Sequence, residues 1–312
     1  NNHPSLRTET RDRVRDAMAQ LNYHPNRAAR SLATSRTRMI GMLSSNSGFY
    51  GPTSLMTAME REARSNGYTA LTVSVDADSE ESIAEGIDYL RGLGVEAMIV
   101  IAPQTAVLDY ARPRFGSIPL VTIDATERSD VFSVSVDNYA GARSAVRHLI
   151  ELGHKKILHV SGPAGWFEAD ARIHGYLAEL SDHLLEPLPV IQGNWMSETG
   201  FQIGQQLVKN PLYFTAIFAA NDQLALGLLH AFRSAGIRVP EEVSLIGFDD
   251  LPEAQFFAPP LTTVHQDFAE VGRRAMALVI DELDGVTAVR REFIVPKLVV
   301  RQSTAPVAGV TQ

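Results

Sequence analysis

The sequence predicts an α/β protein made of two doubly wound parallel-sheet lobes behind a short basic helical segment, and three observations lead there. From residue 38 onward, short runs of Val, Ile and Leu alternate with helical stretches, the texture of buried parallel strands joined by right-handed crossovers. The alternation occurs twice in series, which makes two lobes and agrees with a prior of about two domains for 312 residues. Charge is also divided: residues 1–38 hold eight arginines against Glu9, Asp12 and Asp16, a net +5, while the remainder carries −13. A basic arm on an acidic body points to nucleic-acid binding confined to one end.

Taken in order, residues 8–21 place Val14, Ala17, Met18 and Leu21 at helical spacing. The stripe is narrow and the helix is too short to fold alone, so it needs a packing partner. Residues 22–38 join the two pieces of opposite character. Pro25 suits the first turn of a short helix, where a missing N–H costs nothing. Ala28 and Ala29 leave a bare face for a second copy of the helix, and Arg27 and Arg30 can reach phosphates. Leu32 has no amphipathic stripe around it, the character of a wedge pushed between base steps in the minor groove. The alternative is an ordinary linker that happens to be basic.

In the first lobe, strands are predicted over 39–43, 69–75, 97–101, 120–123 and 134–136, with helices over 53–66, closed by Gly67, and 79–93. In the second, Asp137 caps a helix over 139–152 that ends at Gly153. Strand 156–160, helix 168–180, strand 189–191, helix 198–208, strand 216–219, helix 223–235 and strand 243–247 follow.

Composition narrows the chemistry. An apolar fraction of 45% supports large cores, and the absence of Cys excludes disulfides, thiolate metal sites and a cysteine nucleophile. No run reaches the length of a membrane span and no signal peptide opens the chain, so a cytoplasmic location is expected. The chain starts at Asn1 without Met, which leaves room for a missing N-terminal part.

Ligands of doubly wound sheets sit beyond the carboxyl ends of the strands. Polar residues there are Ser45, Asp124, Asn221-Asp222 and Asp249-Asp250, joined by Arg172 on the helix after Gly162-Pro163 and by Gln266 where the chain crosses back between lobes. Such carboxylate, amide and guanidinium groups make paired hydrogen bonds to neighbouring hydroxyls. Phe49, Trp166, Trp195 and Phe248 can cover the apolar face of a ring. Plainer roles stand beside these: helix or turn capping for Asp222 and Asp250, a core position for Trp195, a solvated helix charge for Arg172. His154, His159 and His174 lack a metal spacing and read as structural, and 162–165 lacks the Lys of a phosphate loop. No metal site or cofactor is expected. A glycosidase pair of Asp249 and Glu168 is conceivable, but no spacing demands it.

The ordered motifs Thr-Glu-Thr-Arg-Asp-Arg-Val, Leu-Asn-Tyr-His-Pro-Asn-Arg-Ala-Ala-Arg-Ser-Leu, Leu-Gly-His-Lys-Lys-Ile, Ala-Asn-Asp-Gln-Leu-Ala-Leu-Gly, Gly-Phe-Asp-Asp and Pro-Pro-Leu-Thr-Thr-Val resemble the lactose/galactose repressor (LacI/GalR) family of bacterial transcription regulators. The resemblance covers Asn1 to about Ala305. It implies a helix-turn-helix head, truncated here to residues 1–24, and a hinge helix and linker over 25–37. A core like that of periplasmic sugar-binding proteins follows, with lobes 38–137 plus 267–296 and 138–266 plus 297–312. It assigns DNA contacts to Asn1, Asn26, Arg27, Ala29, Arg30 and Leu32. Effector contacts fall on Ser45, Asp124, Arg172, Trp195, Asn221, Phe248, Asp249 and Gln266, to which the aromatic reading adds Phe49 and Trp166.

The function implied is a non-enzymatic repressor that binds operator DNA and senses a mono- or disaccharide. Trp195 and Gln266 favour a sugar over a purine. The loop 164–168 is bulkier and more acidic than in the lactose member of the family, which leaves the exact sugar open. The tail after Ala305 lacks leucine heptads, so a homodimer is expected. The alternatives are a sugar-binding receptor of a transport system, which should carry a signal peptide or lipid-anchor Cys, and a purine- or phosphosugar-responsive member of the same family.

Overall fold

The computed structural model describes residues 8–23, 27–45, 48–102, 105–123, 132–286, 288 and 290–307. It opens on helices α1 (Thr8–Gln20) and α2 (Arg27–Thr34). The first lobe then runs β1 (Met39–Ser45), α3 (Tyr50–Ser65), β2 (Thr69–Val75), α4 (Glu80–Gly92), β3 (Ala97–Ile101), α5 (Thr105–Phe115), β4 (Leu120–Thr122) and β5 (Phe132–Val136). The second follows with α6 (Asn138–Glu151), β6 (Ile157–Ser161), α7 (Phe167–Asp182), β7 (Ile191–Gln192), α8 (Ser197–Leu207), β8 (Ala216–Ala219), α9 (Asp222–Ser234) and β9 (Ser244–Ile246). The chain then crosses through β10 (Thr263–His265), α10 (Phe268–Leu283), β11 (Arg291–Ile294) and β12 (Lys297–Val299).

Two parallel sheets result, ordered β11-β5-β4-β3-β1-β2 and β7-β6-β8-β9. Alternation along each strand feeds a core on either face. In β3, Ala97, Ile99 and Ile101 join Met59 of α3 and Val271 and Val279 of α10, whereas Met98 and Val100 join Ile87 and Leu90 of α4 and Val107 of α5. In β8, Ile217 and Ala219 face Leu228 and Phe232 of α9, whereas Ala216 and Phe218 face Val146 and Leu149 of α6. Each such fully buried Leu, Val or Phe contributes about 1.5–3 kcal/mol, and strands buried on both faces are what doubly wound sheets require.

The last third of the chain ties the sheets together. Strand β11 pairs in parallel with β5, and β10 pairs antiparallel with β12. Isolated bridges Ile246↔Thr262 and Asp249↔His265 dock this crossing onto the end of β9. Residues after 250 carry no predicted element, yet Asp267 caps α10 by accepting from the Glu270 amide at 2.9 Å. Helix α5 is likewise unpredicted; Pro113 lies inside it and interrupts the helical signal.

Asp137 caps α6 by accepting from the Ala140 amide at 2.8 Å, as expected. Asp222 and Asp250 do not cap. Asn221 caps α9 through Oδ1, 2.9 Å from the Leu224 amide, because the helix starts at Asp222, one residue earlier than predicted. Asp222, fully buried in the first turn, accepts from the Leu251 amide and the Thr263 hydroxyl. Asp250 pairs with Arg301 at 2.7 Å and His265 at 3.0 Å. Among the described residues no helix is long and apolar enough to cross a membrane.

Candidate effector cleft

Strand ends of both sheets and the crossing segment enclose a cavity of about 230 Å³. Of the residues expected there, Phe49, Trp166, Arg172, Trp195, Asn221, Asp249 and Gln266 line it. Ser45 ends β1 fully buried, and Phe248 is buried behind the wall; neither lines the cavity. Asp124 lies outside the described residues.

Arg172 is no solvated helix charge. It is 3% exposed, and its Nε donates to Asn138 Oδ1 at 2.8 Å while Nη1 donates to the Ala220 carbonyl. Its guanidinium carbon rests 3.8 Å from the centroid of the Phe248 ring and 5.4 Å from that of Trp195. Phe248 therefore acts through Arg172, as the surface on which the cation is stacked. Nη2 lies 3.7 Å from Asp249 Oδ1, which also accepts from Gln266 Nε2 at 2.6 Å. Burial pushes the Asp249 carboxyl up to about 6 despite Arg172, and Glu168 adds to the rise. Burial in turn lowers Arg172, against the pull of Asp249 and Glu168. Asp222, behind the wall, is raised well above the usual carboxylate range by burial first and by Asp249 second.

Backbone strain collects at the same place. Trp195, Asp249 and Asp250 have φ of 70°, 109° and 53°, conformations that favour glycine and persist in other residues where the surroundings impose them. Asn221 helps to impose the first, since its Nδ2 donates to the Trp195 carbonyl at 3.1 Å. Trp195 is 6% exposed, halfway between a core residue and a wall, and its Nε1 is buried without a hydrogen-bond partner among the described residues. Trp166 stands edge-on between Trp195 at 5.7 Å and Phe49 at 5.6 Å, so the aromatic wall spans both lobes.

The sequence reading left out Tyr50, Asn138, Glu168, Gln223 and Phe268 as cleft residues. Asn138 lies two residues past the end of β5, behind the Asp137 cap, where the strand-end rule points to Asp137 first. Phe268 and Tyr50 pack ring to ring at 5.9 Å, a contact of distant positions that no local pattern marks.

His154 and His159 have structural partners. His154 meets Thr215, Ser244 and the Ala305 carbonyl, and His159 is stacked between Tyr176 and Phe218, its burial lowering it to about 4. Near the start of the chain, α2 contains the backbone of Arg27, Ala29 and Arg30, and Leu32 on it is 87% exposed. Asn1 and Asn26 lie outside the described residues.

Two α/β lobes with a cleft at their strand ends define a ligand-binding core of the periplasmic-binding-protein type. The periplasmic binding protein-like domain family matches residues 146–304. The chain is 31% identical to the transcriptional repressor PurR of Haemophilus influenzae over 95% of its own length and 90% of the relative's. It belongs to the lactose/galactose repressor family of transcription regulators. The structure superposes with a TM-score of 0.83 on the Lac repressor dimer bound to operator and the anti-inducer ONPF, at 27% identity, covering 91% of this chain and 99% of that one. It superposes at 0.76 on the regulator CelR in complex with cellobiose, at 26% identity, covering 97% and 93%.

Proposed function

We propose that this protein is a dimeric repressor that binds operator DNA and is controlled by a mono- or disaccharide in the cleft, through the contacts of Phe49, Trp166, Arg172, Trp195, Asn221, Asp249 and Gln266. The observation that carries the sugar is the pairing of Trp166 and Trp195 with a buried Arg172–Asp249–Gln266 set. Indole faces cover the C–H face of a pyranose, and a guanidinium, a carboxylate and an amide pair with its hydroxyls. The cellobiose-bound relative supports the same class of ligand.

In this reading, operator contacts come from the basic arm, with Arg27, Ala29, Arg30 and Leu32 on a hinge helix that pairs with that of a second subunit. The DNA- and anti-inducer-bound dimer among the relatives supports this arrangement. Because both lobes wall the cleft, a ligand that prefers one lobe orientation shifts the spacing of the two hinge helices. Coupling is reciprocal, so sugar and operator change each other's affinity by the same factor. The likeness of relatives to non-enzymes favours a binding role for Asp249 and Glu168, at a cytoplasmic location. The PurR relative supports a second reading, a purine effector.

A thermal-shift screen of the chain against mono- and disaccharides, phosphosugars and purines tests the proposal. A ligand at 100 times its dissociation constant adds about 2.7 kcal/mol of stability. A sugar-selective shift that is lost in Arg172→Ala is expected; a shift with purines alone replaces the sugar by a nucleobase.

A further inference from the structure

The linker between α2 and β1 consists of Ser35, Arg36, Thr37 and Arg38, and the first lobe holds the last three of these on the turns that follow α3 and α4. Thr37 Oγ1 donates to the Gly94 carbonyl, just past α4, at 2.6 Å. Arg38 lies over Gly67, just past α3, where an added Cβ would come 3.1 Å from its Nη1. The Arg38 amide donates to Glu96 Oε1 at 2.8 Å, and the Glu96 amide donates to the Met39 carbonyl. Arg36 Nε stands 3.4 Å from the second Glu96 oxygen, which is itself buried. From the base of β3, Glu96 therefore holds the linker at two residues.

Backbone geometry follows this grip. Ser35 and Arg38 both have φ of 53°, a conformation that favours glycine and persists in other residues where the surroundings impose it. The first ends α2, and the second turns the chain into β1 under the Glu96 carboxylate. The bond to the Arg38 amide is charge-assisted and is the stronger hold. Arg36 is 47% exposed, where an ion pair is screened and weak.

Reach decides what the grip does to the hinge helix. With Glu96 in place, Ser35 alone separates the end of α2 at Thr34 from the first anchored residue. One residue spans about 3.5 Å, whereas four span about 14 Å. Without the grip the anchor retreats to Met39, and the whole linker is free to swing. Residues freed in this way must be ordered again when the helix docks on DNA, which weakens binding. A dimer meets that penalty in both subunits.

Resting on the hinge-helix reading, we propose that Glu96 is a positioning residue for operator binding: it fastens residues 36 and 38 to the first lobe, so that α2 keeps one place relative to that lobe and moves with it. If Glu96 did no more than satisfy the edge of the sheet, its loss would appear in the melting curve and leave operator affinity alone. The bond to the Arg38 amide is open to solvent, so water takes the freed N–H and the lobe stays folded.

Hydrogen exchange and fluorescence anisotropy on the intact repressor test this, with a labelled duplex that the wild type itself selects from a random pool. Glu96→Ala should speed exchange of the Arg38 amide at least tenfold and weaken operator binding at least tenfold, with a melting temperature within about 3 °C of the wild type. Glu96→Gln keeps an acceptor for that amide and should stay within threefold in operator affinity. Thr37→Val keeps the side-chain shape, removes the bond to Gly94 and should weaken operator binding at least threefold, which decides the matter even if Glu96→Ala harms folding. An Arg38 amide that exchanges no faster in Glu96→Ala, or operator affinity that is unchanged in both Glu96→Ala and Thr37→Val, overturns the proposal. Leu32→Ala tells this failure from that of the hinge reading: if it weakens operator binding while Glu96→Ala does not, only the role of Glu96 falls, and if neither does, both fall.

Discussion

Gln266 Nε2 donates to Asp249 Oδ1 over 2.6 Å, fastening the loop after β9 to the segment that leaves β10 for the first lobe. The bond sits inside the cleft, so the carboxylate that holds the start of the crossing segment to the second lobe is also the one proposed to meet the ligand. That carboxylate is costly to keep ionised, because burial pushes it up to about 6. As pH rises from about 4 to about 6, the unfolded chain releases this proton before the folded one does, and stability falls over that window. Asp249→Asn keeps an acceptor for Gln266 and removes the titration. The variant should match the wild type below pH 4 and be more stable at pH 7 by up to about 3 kcal/mol. Superimposable melting profiles for the two from pH 4 to 8 would exclude this account.

Gly162 is what allows Trp195 to lie in the wall, since a Cβ at 162 would overlap the Trp195 ring. Gly162→Ala should push the indole into the cavity and weaken effector binding at least tenfold while lowering stability by about 1–3 kcal/mol, the usual cost of overpacking. Calorimetric titration beside a melting curve separates the two effects. Intact affinity in a folded variant would show that the wall tolerates a shifted ring.

Helices α8 and α9 cross with backbones almost in contact. A Cβ on Gly227 would collide with the Ser197 carbonyl, and one on Gly200 with the Leu224 carbonyl. Neither obstacle is a flexible side-chain end, so relief requires moving a whole helix. Gly227→Ala should destabilise the protein by more than about 3 kcal/mol, at the upper end of overpacking effects. Urea midpoints measure it, and a loss below 1 kcal/mol would mean the helices separate easily.

Much of this fold was legible because its strands are buried on both faces. Runs such as Ala97–Ile101 contain apolar residues without alternation, and each β-α pair repeats the signal. Part of the site followed from one rule, polar residues just past strand ends, which located Asn221 and Asp249, while Gln266 was marked by the crossing between lobes. What escaped depended on information the local pattern lacks. Asn221 and Asp222 are both good capping residues, and only the start of α9 at Asp222 decides that Asn221 caps while Asp222 is drawn to Leu251 and Thr263. Phe248 looked like a ligand-stacking ring, yet its face is taken by Arg172, a partner 76 positions away that packing alone brings there. Helix α10 carries a helical signature in its Asp267 cap and its apolar positions at Val271, Ala275, Leu278 and Val279, although no predicted element covers it.

On α2, Leu32 is 87% exposed, a large apolar side chain with no place in the core. If it serves as a minor-groove wedge, Leu32→Ala in the intact repressor should weaken operator binding at least tenfold and leave effector affinity within twofold. Fluorescence anisotropy with labelled operator measures the first, calorimetry the second. Undiminished operator affinity would remove Leu32 from DNA recognition.

The chain contains two tryptophans, and both belong to the cleft wall. Trp166 is partly exposed and Trp195 nearly enclosed, in edge contact and beside a buried guanidinium. Light absorbed by indole anywhere in this protein is therefore absorbed at the place where effector is proposed to bind. Emission excited at wavelengths where the 8 tyrosines do not absorb becomes a site-specific optical probe that requires no label, and its wavelength and quenching follow the occupancy and hydration of the cleft.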